Sequence, residues 1–215
     1  MLDSALRKWM DAPLNLAAKL FPQKVSANSI TIVGFLIGVF IFIAIIKGQF
    51  TLALIFLAIN RILDGLDGAV ARRHGTTDLG GYLDITADFL LWALLPLGFA
   101  IHSADTAFAA AVLLSSFAMS MTVFLAFAVM AEKRGASTSA QGKKSLFYLA
   151  GIAEGAETIG FFAFVLLFPH YFIPAALIFS AVVYISVLGR LMVSIQQLKE
   201  PENGQAFQLW ILVFL

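Results

Sequence analysis

The stretch from Asn60 to Asp88, NRILDGLDGAVARRHGTTDLGGYLDITAD, sets four aspartates at the facing ends of two otherwise apolar runs. Asp64 and Asp67 are spaced i, i+3, and Asp84 and Asp88 are spaced i, i+4. On helices, each spacing puts both carboxylates on one face. The intervening Arg73–Leu79 segment is short enough to make the two runs an antiparallel hairpin, so the four acids can converge. An acid at the centre of a membrane helix costs about 2.5–3.5 kcal/mol. Four ionised acids would also repel one another in a low dielectric. Arg61 and Arg72 leave a surplus of negative charge, which divalent cations would neutralise. Oxygen ligands without His or Cys favour Mg²⁺ or Mn²⁺, with Ca²⁺ the remaining hard-cation option. Four carboxylates suffice for two ions, an arrangement suited to phosphoryl displacement.

Around this hairpin the chain reads as membrane protein. It has 215 residues, of which 60% are hydrophobic and 13% charged, with a mean hydropathy of +0.92. Soluble domains are nearer half apolar and a quarter charged. At about 20 residues per span, there is room for about six, and apolar runs fall near 30–47, 51–71, 81–102, 106–131, 146–169 and 171–194. The expected fold is all-α: a six-helix transmembrane bundle over residues 25–198, preceded by an interfacial amphipathic segment (1–24) and followed by a tail (199–215). In the first segment Leu2, Leu6, Trp9, Pro13, Ala17 and Leu20 fall near helical spacing, with a break expected at Pro13. Pro96 is expected to kink the third span. No cleavable signal is expected, because the first long apolar run starts only near Ile30.

Basic residues collect on one side of a six-span arrangement, among them Arg7, Lys8, Lys19, Arg72, Arg73, Lys133, Arg134, Lys143 and Lys144. The other side has little beyond Lys47. Both termini and the loop at His74 are therefore expected to face the cytoplasm. Cysteine is absent, which excludes disulfides and thiolate metal sites. The three histidines have no ligand spacing, and no nucleic-acid partner is expected.

Small residues line the same hairpin. Asp64, Gly68 and Ala71 share a stripe, with Gly65 beside it, and leave room for close packing or a bulky head group. Arg72, one turn beyond Gly68, suits bidentate binding of a diphosphate. Gly75, Thr76, Thr77 and Gly80 are expected to form a flexible, hydroxyl-bearing loop. Taken together, Asp64-x2-Asp67-Gly68-x2-Ala71-Arg72-x7-Gly80-x3-Asp84-x3-Asp88 resembles the signature of the CDP-alcohol phosphatidyltransferase family, with a spacer one residue shorter than the usual eight after the arginine. SANSITIVGFL around Asn28 and Thr31 and the six-span plan extend the resemblance, which is strongest to small bacterial members.

The resemblance implies an integral membrane enzyme that transfers a phosphatidyl group from a CDP-alcohol, CDP-diacylglycerol above all, to an acceptor alcohol with release of CMP. It implies that Asp64, Asp67 and Asp84 ligate Mg²⁺ or Mn²⁺. Asp88 would complete a second metal site and act as general base. Gly68, Ala71 and Arg72 would contact the CDP donor, with Asn28, Thr31 and Thr77 as further candidates. A homodimer in the inner membrane is also implied. Arg61, one turn before Asp64, reads as an ion-pair partner. Glu154 and Glu157, i, i+3 in the fifth span, are candidates for an acceptor pocket, as are Lys143 and Lys144. The alternatives are a hydrogen-bonded acid pair and a purely topogenic basic loop. An intramembrane prenyltransferase or a divalent-cation transporter would also place acids in the membrane. The first needs Asp-rich motifs separated by several spans. The second is expected to bind near the midplane and does not account for Gly68, Ala71 and Arg72.

Overall fold

The computed structural model describes residues 12–22, 25–134 and 155–199. Among these, helices carry nearly all the regular structure: α1 (Ala27–Ile46), α2 (Phe50–His74), α3 (Asp78–His102), α4 (Ala104–Lys133), α5 (Gly155–Leu167) and α6 (Phe172–Lys199). A 3₁₀ turn at Pro169–Tyr171 joins the last two. Among the described residues four helical stretches are long and apolar enough to cross a membrane: α1, α3, α4, and α6 with its preceding turn. α2 has the length, at 25 residues, but carries Arg61, Asp64, Asp67, Arg72 and Arg73. The described part of α5 has 13 residues.

Capping explains why the central hairpin is tighter than the apolar runs suggest. Gly75 ends α2 with φ +106°, a backbone conformation that glycine adopts readily, and its N–H bonds back to Ala71 O. Thr77 opens α3, its hydroxyl accepting the Gly80 N–H at 3.1 Å. The connection is therefore three residues, and Gly80 lies in the first turn of α3 rather than in a flexible loop. α3 runs unbroken past Pro96, which is buried among its neighbours.

α1 packs against both α2 and α3, α3 against α4, and α4 against α6, while α5 touches α2 and α6. The main core contains Ile41, Ile45, Leu57, Leu91, Leu95, Leu113, Phe162 and Val165. Aromatic stacking ties α3 to the later helices. Phe99 lies 3.9 Å from Phe172 and Trp92 5.8 Å from Phe162, both nearly parallel. Glycines set the close approach of α1. A methyl at Gly98 would come within 3.2 Å of Ile45 Cβ and 3.3 Å of Phe42, and one at Gly38 within 3.0 Å of Leu91.

A second, smaller core at the acid end joins Ala18, Ile30, Leu66, Ala69 and Val70, with Leu14, Ala17 and Phe21 against it. Residues 12–18 are helical, with Pro13 in the first described turn, where its missing N–H costs no helical bond. The face that packs is Leu14, Ala17, Ala18 and Phe21. Pro13 and Leu20 point away, Leu20 being 83% exposed. Gly65 accommodates this segment: a methyl there would sit 2.7 Å from Leu14. Residues 1–11, where the remainder of the amphipathic pattern falls, and the tail beyond 199 lie outside the described residues.

Gly98→Val should cost about 1–3 kcal/mol by overpacking the α1–α3 contact. It should lower the melting temperature in detergent, whereas Gly189→Ala, with nothing near its would-be methyl, should not.

Candidate active site

The α2–α3 hairpin brings the four aspartates of the sequence motif to one cleft. Its walls are Thr31, Gly34 and Phe35 from α1, Asn60, Arg61, Asp64 and Asp67 from α2, and Asp84, Ala87 and Asp88 from α3. The cavity within measures about 20 Å³, enough for an ion or one water and far too small for a nucleotide. A CDP group would therefore have to lie at its mouth.

Exposure grades the acids from the bottom of the cleft to its mouth. Asp67 is 6% exposed and accepts a hydrogen bond from Thr31 Oγ1 at 2.6 Å. Asp64 and Asp88 are half-buried and Asp84 is exposed. Arg61 bridges the two helices, its Nη2 3.0 Å from Asp88 Oδ1 and its Nη1 3.7 Å from Asp64 Oδ2. Asn60 holds this guanidinium through Oδ1, which accepts from Nε at 2.8 Å and from Nη2. Its own Nδ2 donates to Gly34 O on α1 at 2.8 Å. The Asn60 amide thereby locks α1, α2 and the arginine together at a buried position.

The four carboxylates form an all-oxygen donor set with net negative charge, which fits a hard divalent cation. Among the described residues no three acids stand close enough to enclose an ion as they are, and Arg61 lies between Asp64 and Asp88. Filling the site would require a modest rearrangement of side chains.

The donor candidates, apart from Thr31, stand on the same three helices and their ends, outside the lining of the cleft itself. Arg72 is exposed in the last turn of α2, where basic groups complement the helix dipole. A methyl at Gly68 would sit 3.3 Å from Arg72 Nη1, so Gly68 leaves the guanidinium its space, and Ala71 is half-buried beside it. Asn28 comes across from the start of α1, because a methyl at Gly80 would lie 3.0 Å from Asn28 Oδ1 and 3.1 Å from Thr77 Oγ1. Thr31 lies deeper, on Asp67. Glu157 lies elsewhere among the described residues. It shares a shallow groove with Phe161, Phe164, Ala175, Ile178, Phe179 and Val182. Lys143, Lys144 and Glu154 lie outside the described residues. The sequence motif does not single out Asn60; its signal is an amide inside an apolar turn, which membranes tolerate only when its hydrogen bonds are met.

A helical membrane bundle with a carboxylate-lined cleft at one hairpin end, an exposed arginine at the end of the same helix and small residues beside it is suited to a phosphate-transferring enzyme of lipids. The chain belongs to the CDP-alcohol phosphatidyltransferase family, whose profile matches residues 24–196, and it is such an enzyme. It is 38% identical over 192 residues to inner membrane protein YnjF of Escherichia coli, covering 88% of this chain and 93% of that protein. It is 37% identical over 100 residues to archaetidylinositol phosphate synthase of Pyrococcus horikoshii, covering 46% and 53% of the two chains. Its fold resembles the crystal structure of Mycobacterium tuberculosis phosphatidylinositol phosphate synthase (PgsA1) with CDP-DAG bound. That likeness has a TM-score of 0.61 at 18% identity, over 86% of this chain and 91% of the other. Family membership sets aside the prenyltransferase and transporter readings.

Thr31→Val should destabilise the protein by about 1.5–3 kcal/mol, because buried Asp67 loses a donor. Thr31→Ser should retain most of the stability. Thermal unfolding in detergent without donor checks both.

Proposed function

We propose that the chain transfers a phosphatidyl group from a CDP-linked lipid, CDP-diacylglycerol above all, to the hydroxyl of an acceptor alcohol, releasing CMP. The observation that carries this reading is the convergence of Asp64, Asp67, Asp84 and Asp88 on one cleft, with Arg72 exposed in the last turn of the helix that carries Asp64 and Asp67. The family and the CDP-DAG bound to the mycobacterial enzyme of similar fold support the donor class.

Asp64, Asp67 and Asp84 would hold Mg²⁺ or Mn²⁺, with Asp88 completing a second position. Bound there, such an ion supplies charge neutralisation for the diphosphate as its phosphorus–oxygen bond breaks. Asp67, buried and fixed by Thr31, would anchor the site, and Asp84 is exposed toward arriving phosphate. Arg72 would clamp the diphosphate bidentately, with Gly68 and Ala71 clearing its approach and Asn28 and Thr77 at the edge of the mouth. Asp88 would take the acceptor hydroxyl's proton as the new oxygen–phosphorus bond forms and CMP departs with the bridging oxygen.

The bundle would have six spans, with α2 and α5 joining the four apolar stretches. It would lie in the inner membrane as a homodimer, with both termini and the α2–α3 loop cytoplasmic. The homologous inner membrane protein supports the membrane, and the clustering of basic residues supports the orientation. Glu154, Glu157, Lys143 and Lys144 stay candidates for contacts with the acceptor.

Purified protein given CDP-diacylglycerol and a panel of alcohols should release CMP with one class of acceptor. Release should stop with a chelator and return with Mg²⁺ or Mn²⁺. No CMP from any combination would overturn the reading. Asp88→Asn should lose about 10²–10⁴-fold in turnover while largely keeping CDP-lipid affinity; turnover near wild type would show that Asp88 is not the base. Because native cysteine is absent, a single cysteine at position 75 should react with impermeant maleimide only from the cytoplasmic face.

A further inference from the structure

The proposed transfer reaction gives no task to the most tightly held polar side chain in the cleft. Arg61 is only 14% exposed among the acids. Its guanidinium edge is fixed by Asn60, itself tied to α1 through Gly34 O. One face stands 4.9 Å from the Trp92 ring centroid on α3, within cation–π range. Its two terminal nitrogens then reach Asp64 on one helix and Asp88 on the other. Charge balance alone would need a positive group nearby, which a lysine supplies. An amide on the edge and an indole on the face also fix a plane, and only a guanidinium has one to fix.

We propose that Arg61 is a positioning residue that serves as the cleft's internal counter-cation. It holds the Asp88 carboxylate in a set direction and competes for Asp64 with an incoming divalent ion. This inference rests on the function proposed above. It follows from where the charge sits. A guanidinium between Asp64 and Asp88 offsets the mutual repulsion of the acids before metal enters, and it opposes any second cation in the same small space. Metal entry would turn Asp64 away from Arg61, while the shorter contact to Asp88 and the Asn60 and Trp92 contacts stay in place. Arg61 would thus weaken metal binding and yet be needed for turnover.

These two effects have opposite signs on removal, which separates the proposal from a simple structural ion pair. Wild type, Arg61→Gln and Arg61→Lys should be purified in one detergent. Mn²⁺ binding is read by the electron paramagnetic resonance signal of free ion, and CMP release is measured at saturating metal. Arg61→Gln should bind Mn²⁺ about tenfold more tightly, since a unit charge a few ångströms away has gone. Its kcat should fall by about tenfold or more, with the donor KM little changed, because Asp88 has lost its fixed direction. Arg61→Lys should keep wild-type Mn²⁺ affinity and still lose kcat, since an ammonium cannot span both carboxylates in the plane set by Asn60. Mn²⁺ binding by Arg61→Gln no tighter than by wild type, or full kcat in Arg61→Lys, would overturn the proposal. If Arg61→Gln does not purify folded, the Arg61→Lys kcat decides alone. Mn²⁺ bound by neither protein would bring down the metal reading together with this one. CMP release absent in wild type would refute the proposed function alone, and the Mn²⁺ comparison would then decide for or against Arg61.

Discussion

Charge placed where water is scarce has to be answered by other charge, and the α2–α3 hairpin is organised around that requirement. The pair of helices brings four carboxylates to one cleft and answers them with Arg61, Thr31 and the polar mouth. An isolated buried acid would be expelled or neutralised. Here the acids persist because they share a cation, because Thr31 donates to Asp67, and because Asp84 and Arg72 reach the exposed end. The neighbouring helices follow from the same need. α1 must come close enough to offer Thr31 and the Gly34 carbonyl, so glycines stand where it meets α2 and α3.

The far side of the bundle is built differently. Stacked aromatics, Phe99 on Phe172 and Trp92 on Phe162, join α3 to α5 and α6 and form a stiff apolar body. Trp92 belongs to both regions, with one contact in the core and another to the Arg61 guanidinium. Trp92 thus couples the site to the aromatic packing of the bundle. The acid end has its own small core, closed by the N-terminal segment against Leu66, Ala69 and Val70. That cover keeps lipid and protein on the back of α2 while the acids face the cleft. A rigid support under the carboxylates and an open mouth above them is what a transfer between two lipid-soluble or surface-bound substrates requires, since positioning and charge neutralisation carry most of phosphoryl-transfer catalysis.

Much of this architecture is legible along the chain. Helical periodicity and hydropathy mark the apolar runs, because lipid forces backbone groups to pair within each segment. The i, i+3 and i, i+4 spacings set the aspartates in pairs, and the signature around them carries the family. What lies between the pairs emerges only when the helices are packed together. Asn60 is one letter in an apolar run, yet it fixes Arg61 and ties it to α1, since its amide both donates and accepts. Thr31 donates to Asp67 across two helices, and Gly80 belongs to a capped helix rather than to a flexible loop. Leu20 carries the same apolar signal as Leu14 but turns outward, because periodicity gives a face and not the partner that covers it. Such facts depend on which helix stands next to which, at distances of a few ångströms, and no spacing along one chain encodes them.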